Sequence, residues 1–76
     1  MPVFVKVSCY NRYDTSVIVP IYFNIKNIDA IEMVVDKDEN MYMLHLKNVS
    51  FRLIKDSYDY LVKLVYGEEY KDANKE

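Results

Sequence analysis

The sequence predicts a mainly β (α+β) domain, a small five-stranded antiparallel barrel or roll closed by one C-terminal helix. Three observations carry this expectation. Val3, Val5, Val7 and Cys9 alternate with Phe4, Lys6, Ser8 and Tyr10, a period of two that reads as a strand. Later apolar runs are punctuated by polar, turn-forming clusters: Asn11-Arg12-Tyr13-Asp14, Asp36-Lys37-Asp38-Glu39-Asn40 and Lys47-Asn48. From Tyr58 the period changes, and Tyr58, Leu61, Val62 and Val65 follow the i, i+3, i+4, i+7 spacing of an amphipathic helix.

Taken in order, the first strand buries its valine face, and Cys9 shares that face as a small hydrophobe. The second strand is expected over Thr15 to Phe23, with Val17, Val19, Ile21 and Phe23 on one face and Ile18, Pro20 and Tyr22 on the other. Pro20 cannot donate to a ladder, which places this strand at a sheet edge or at a bend. Ile25, Ile28 and Ile31 are spaced by three, the signature of one helical or 3₁₀ turn. A third strand follows over 31–35, with Ile31, Met33 and Val35 on one face.

Segments 41–46 and 49–54 form a hairpin around Lys47-Asn48. A two-residue loop sets Leu46 opposite Val49, Leu44 opposite Phe51 and Tyr42 opposite Leu53 on a core face. His45 then faces Ser50, Met43 faces Arg52 and Met41 faces Ile54 on the other face. In the helix, Asp56 is the expected N-cap, with Asp59 near the positive helix end. Gly67, the only glycine, sits where a left-handed C-cap is wanted. Residues 1–67 are thus expected as one globular domain and residues 68–76 as a frayed polar tail.

Seventy-six residues suffice for one domain with a thin stability margin. One cysteine excludes an intramolecular disulfide and fits a reducing compartment. One histidine, His45, excludes a Cys/His zinc site. Oligomerisation is the remaining way to reinforce so small a fold. The opening Met1-Pro2-Val3-Phe4-Val5-Lys6 lacks a secretory pattern, and no apolar run approaches the roughly 18 residues of a membrane span. A cytosolic protein with no membrane partner is expected. The tail 68–76 carries the whole net charge of −2, leaving a neutral body that is a poor match for a phosphate backbone. Lys, Asn, Ile and Tyr, all with AT-rich codons, make up 28 of the residues, which points to an AT-rich bacterial or phage genome.

No cofactor, metal or catalytic residue is expected. A single glycine cannot build a phosphate loop. Ser8, Ser16, Ser50 and Ser57 sit in no hydrolase motif, and His45 is a general base in name only. Asp36, Asp38 and Asn40 imitate the start of a calcium loop, but Met41 stands where glycine is needed and Lys47 where the bidentate glutamate belongs.

Residues 22–65 resemble the small flagellar-operon FlbD family. The likeness lies in Phe23-Asn24-Ile25-Lys26-Asn27-Ile28-Asp29-Ala30-Ile31-Glu32, a hairpin, and Leu53-Ile54-Lys55-Asp56-Ser57 before a helix. Asp56-Ser57 stands where that family has Glu-Ser. Asn48-Val49 replaces its Asn-Gly turn, and Tyr10-Asn11-Arg12 its Leu-Asn-Gly turn. The same stretch also resembles half of a LytTR DNA-binding domain. The first resemblance implies a small accessory or regulatory protein, the second DNA binding. Neither carries a functional residue over.

The expected function is therefore a non-catalytic protein-interaction or regulatory module, homo-oligomeric and able to bind a second protein. Met43, His45 and Arg52 on the outer hairpin face and Ile18 and Tyr22 on the second strand are its candidate partner-binding residues. The alternative is a nucleic-acid-binding transcriptional regulator using Lys6, Arg12, Lys26, Lys47 and Arg52, a reading disfavoured by the charge balance.

Overall fold

A computed structural model describes the backbone of residues 4–73 and the side chains of residues 4–67. Five strands, β1 (Phe4–Tyr10), β2 (Ile18–Asn24), β3 (Ile28–Asp36), β4 (Glu39–Leu46) and β5 (Val49–Leu53), precede one helix, α1 (Lys55–Ala73). They form one antiparallel sheet in the order β2-β1-β5-β4-β3. The fold class read from the sequence is correct in strand number, orientation and C-terminal helix. The sheet is open, however. No ladder joins β2 to β3, so barrel closure is corrected to a coiled open sheet with two edges.

The coiling has a geometric cause. A 3₁₀ turn, Ile25–Asn27, is the entire connection between the two edge strands. Four strand spacings of about 4.8 Å separate the edges of a flat five-stranded sheet, whereas four residues reach at most about 14 Å. The sheet must curl until the end of β2 lies near the start of β3. The turn is held by Asn24, whose Oδ1 accepts from the Lys26 N–H at 2.8 Å. A β-bulge between Ile28 and Ala30 then shifts the phase of β3. Ile28 pairs with Leu46 and Ile31 with Leu44, so both isoleucines reach the core face across an odd spacing. The three-residue rhythm of Ile25, Ile28 and Ile31 is thus a turn followed by a bulge. β3 begins three residues earlier than expected.

The hairpin register of β4 and β5 is the expected one from Leu46–Val49 to Tyr42–Leu53. Met41 and Ile54 do not pair, because β5 ends at Leu53 and the Ile54 N–H is given to the Ser8 carbonyl at 3.3 Å. β2 starts at Ile18, not Thr15. Residues 11–17 instead form a loop tied by Asn11, whose Oδ1 accepts from the N–H groups of Tyr13 and Asp14. Asp14 Oδ1 in turn accepts from the Ser16 N–H and hydroxyl, which holds its carboxyl below the ordinary value. Pro20 does lie on an edge strand. Val3 lies outside the described residues.

One face of the sheet is covered. Val5, Val7 and Cys9 of β1, Phe23 of β2, Leu44 of β4 and Leu53 of β5 are buried with Leu61 of α1. Tyr58 stacks at 40° on Tyr42 with ring centroids 4.7 Å apart. Helix α1 begins one residue before Asp56, since the Tyr58 N–H already bonds the Ile54 carbonyl at 3.1 Å. Asp56 therefore occupies the first turn and is not the N-cap. Asp59 pairs with Lys55 at 2.8 Å and raises the lysine's pKa, mainly through that hydrogen bond. Ser57 pins the helix to the sheet by accepting the Ser8 N–H at 2.8 Å. Gly67 adopts φ 80° and ψ −177°, which interrupts the helix, and helical backbone resumes through residue 73. The expectation of a frayed tail falls largely outside the described residues, which exclude the side chains of 68–73 and all of 74–76.

Two outcomes test this core. Leu61 has no exposed surface, and Leu61→Ala should cost about 2–5 kcal/mol in urea unfolding, a large share of the low end of a domain's total of about 5–15 kcal/mol. The β3–β4 turn carries Lys37 at φ 52° and Asp38 at φ 67°, a type I′ geometry that favours Asn-Gly. Lys37→Asn with Asp38→Gly should stabilise by roughly 0.5–2 kcal/mol, read as a rise in Tm. A lower Tm would mean that these two side chains hold the hairpin.

Candidate functional site

Helix α1 packs on one face of the sheet and leaves the other bare. The Cα trace measures 35 × 33 × 19 Å, and the short dimension fits one helix on one sheet. Residues that alternate with the core positions therefore stand on an outer face that no element among the described residues covers. A transverse row crosses it: Ile18 pairs with Tyr10, Arg52 lies over the Tyr10 ring at 5.1 Å, Met43 pairs with Arg52, and Glu32 pairs with Met43. Four of the expected partner-binding residues, Ile18, Met43, His45 and Arg52, thus share one face with the fifth, Tyr22, which lies opposite Lys6.

His45 is not free. Its Nε2 lies 2.7 Å from Glu32 Oε1 and its Nδ1 lies 2.6 Å from Ser50 Oγ. A carboxylate only accepts, so in the neutral ring Nε2 carries the proton and Nδ1 accepts from the serine hydroxyl. A hydroxyl–imidazole–carboxylate line thus spans β5, β4 and β3, which composition and spacing did not reveal. The Ser50–His45 half was implicit in the hairpin register. Glu32 required the register of β3, set by the two-residue turn at Lys37-Asp38.

Such a line polarises the serine. Acyl transfer also needs donors aimed at a developing oxyanion in a water-excluded site. Here the line lies along the open sheet face, with half of Glu32 exposed. Arg52 makes a second cross-strand contact, Nη2 to Glu39 Oε1 at 3.4 Å, with two-thirds of Glu39 in solvent.

Of the five cations in the nucleic-acid alternative, Lys6 stands on the outer face of β1, Lys26 in the 3₁₀ turn and Lys47 in the β4–β5 turn, all exposed. Arg12 and Arg52 both line a shallow groove between the β1–β2 loop and β5, Arg12 over the Phe51 ring and Arg52 over the Tyr10 ring. Cys9 faces the core, and burial pushes its thiol pKa up against the opposing influence of Arg12, which makes it a poor nucleophile. Among the described residues no cluster of three or more His, Cys, Asp or Glu could hold a metal ion, and no helix is long and apolar enough to cross a membrane.

No family model, curated protein or solved structure matches the chain.

Replacing Ser50 by Ala removes one exposed cross-strand bond and should cost no more than about 0.5–1.5 kcal/mol in urea unfolding. A loss well beyond that range would show that the line organises the whole β3–β5 sheet.

Proposed function

We propose that this chain is a non-catalytic protein-interaction module, accessory or regulatory in role, that acts as a homo-oligomer and through the oligomer engages a second protein. The observation that carries the reading is the apolar surface at the β1–β2 end of the outer face. Phe4 is 68% exposed, Tyr22 71% and Ile18 46%. They are spread along the β1–β2 pair, Ile18 opposite Tyr10, Tyr22 opposite Lys6 and Phe4 opposite Asn24, with Pro20 between the first two.

The occupant best suited to this surface is a second copy of the chain. Strand β2 carries no charged side chain, so two copies approach without like-charge cost. β3, at the other edge, carries Asp29, Glu32 and Asp36 and would repel its own copy. Lys6, beside Tyr22, can lay its methylene stem along the ring and keep its ammonium at the rim. Pro20 removes one N–H from the β2 edge, so burial of side chains, rather than a continued ladder, is the mode of contact.

The resemblance of residues 22–65 to FlbD proteins supports the accessory role, and the codon bias of the composition supports a bacterial or phage cytoplasm. The open setting of the Ser50–His45–Glu32 line supports a non-catalytic reading. Dispersal of Lys6, Lys26 and Lys47 over three elements weighs against the nucleic-acid alternative.

Light scattering in the micromolar range should give a mass above the 9.1 kDa of one chain. Tyr22→Ser with Ile18→Ser should return a folded monomer whose Tm no longer rises with protein concentration, since exposed substitutions by themselves usually move stability by no more than about 0.5 kcal/mol. The self-association should persist as salt rises, because apolar contact is not screened. A wild-type monomer throughout that range would overturn the proposal.

A further inference from the structure

The two edges of the sheet differ in what they offer to a further strand. β2 is interrupted by Pro20. β3 runs for nine residues with neither proline nor glycine, and its pairing with β4 is regular from Ala30 to Asp36. No strand among the described residues pairs with its far side.

The β3–β4 turn fixes which backbone groups on that side are free. A two-residue type I′ loop is flanked by a hydrogen-bonded pair, here Asp36 with Glu39. Antiparallel pairs alternate, so Val34 with Met41 and Glu32 with Met43 also turn their N–H and C=O groups toward β4. Ile31, Met33 and Val35 turn theirs away from the sheet. Ile31 opposes the buried Leu44, so the side chains of these three residues stand on the core face. The helix covers that face only in part. Ile31 packs on the core, whereas Met33 is 51% and Val35 64% exposed. The free backbone groups and the uncovered apolar side chains thus belong to the same residues.

The alternate positions, Glu32, Val34 and Asp36, stand on the outer face. β3 has no basic residue of its own; Lys26 and Lys37 lie in the turns before and after it. Asp29 and Asp36 have no ionic partner among the described residues, and Glu32, held by His45, is half in solvent.

We propose that the β3 edge takes up, as an added antiparallel strand, an extended segment of a partner protein in which apolar and basic residues alternate. Ile31, Met33 and Val35 supply the ladder. The segment's apolar residues lie opposite them and cover Met33 and Val35, and its basic residues lie beside Glu32 and Asp36. The charges that exclude a second β3 or an apolar strand are those that admit a basic one. This inference rests on the reading of the chain as an interaction module and names the kind of segment the second protein presents. It uses the edge opposite the proposed homo-oligomer surface, so either can fail without the other.

The probe is a capped synthetic peptide of about seven residues alternating valine with lysine, titrated into the ¹⁵N-labelled full-length chain. Amide shifts should saturate and centre on Ile31, Met33 and Val35. Hydrogen exchange at those three amides should slow, while exchange at Glu32 and Val34, already bonded to β4, changes little. N-methylation of the peptide's valine amides, which face β3 in this register, should abolish saturation. N-methylation of its lysine amides, which face away, should leave binding unchanged. Glu32→Gln with Asp36→Asn should weaken binding several-fold and flatten its salt dependence. Ile18→Ser with Tyr22→Ser should bind the peptide as wild type does, whatever becomes of self-association. The proposal is overturned if the parent peptide does not saturate, if a lysine-only peptide of equal charge saturates as readily, if the valine-methylated peptide binds, if the Glu32 and Asp36 variant binds like wild type, or if the Ile18 and Tyr22 variant loses binding.

Discussion

The short span from Asn24 to Ile28 is the constraint on which the rest of this fold depends. Because four residues must carry the chain from one sheet edge to the other, the sheet cannot lie flat. Coiling gives the helix-facing side a concave shape that a single helix can fill. A flat sheet of five strands would need a second helix or a second sheet on that face. Here Leu61, set against Leu44 and Leu53, closes it, and all three are fully buried. The same coiling leaves the pairing of β1 with β5 short, with Cys9 and Leu53 as its bridge. Small size is therefore reconciled with a dry core through curvature rather than through crosslinks.

The junction between β5 and α1 shows how little is left to chance in that arrangement. Ser8 gives its N–H to Ser57 Oγ and accepts the Ile54 N–H at its carbonyl. One residue of β1 thus completes the end of β5 and the first turn of the helix together. The helix needs no Asp cap because its start is held by the sheet. Its inward face is then fixed by the Tyr42–Tyr58 stack. A local rule, that Asp before an apolar period caps a helix, gives way here to a tertiary bond from forty-nine residues away.

Much of the fold was legible because its periods are clean. The alternation of Val5, Val7 and Cys9 marked the core face of β1, and a two-residue loop at Lys47-Asn48 was enough to set every β4–β5 pair from Leu46 to Tyr42. Features that break a period were misread or missed. The bulge after Ile28 shifts the phase of β3, so its isoleucines imitate helical spacing. Polar side-chain bonds within the 11–17 loop delay β2 to Ile18. Barrel closure was overestimated because sequence gives strands and turns but not whether two edges, once brought near, are in ladder register. Of the candidate site, the outer-face positions of Ile18, Tyr22, Met43, His45 and Arg52 follow from period two alone. The placement of Arg12 over Phe51 and beside the Ser50 carbonyl does not, since a loop residue has no periodicity to place it.

The two ends of the outer face differ in a way that follows from which strands border it. At the β3 edge, acidic side chains are engaged across strands, Glu32 by His45 and, beyond the turn, Glu39 by Arg52. These contacts neutralise charge and keep water-loving groups over the hairpin, where an added apolar strand would find Asp29, Glu32 and Asp36 in its path. At the β2 edge no such groups exist, and a proline interrupts the donors instead. Both are devices that blunt an open edge, but they are not equivalent. Charge repels both a like-charged added ladder and an apolar surface, whereas proline stops only the ladder. An apolar surface beside a proline-blunted edge can still be buried face to face. Open-ended strand addition, the hazard of an open sheet, is suppressed at both ends, while a closed pairing of two β1–β2 faces remains physically permitted.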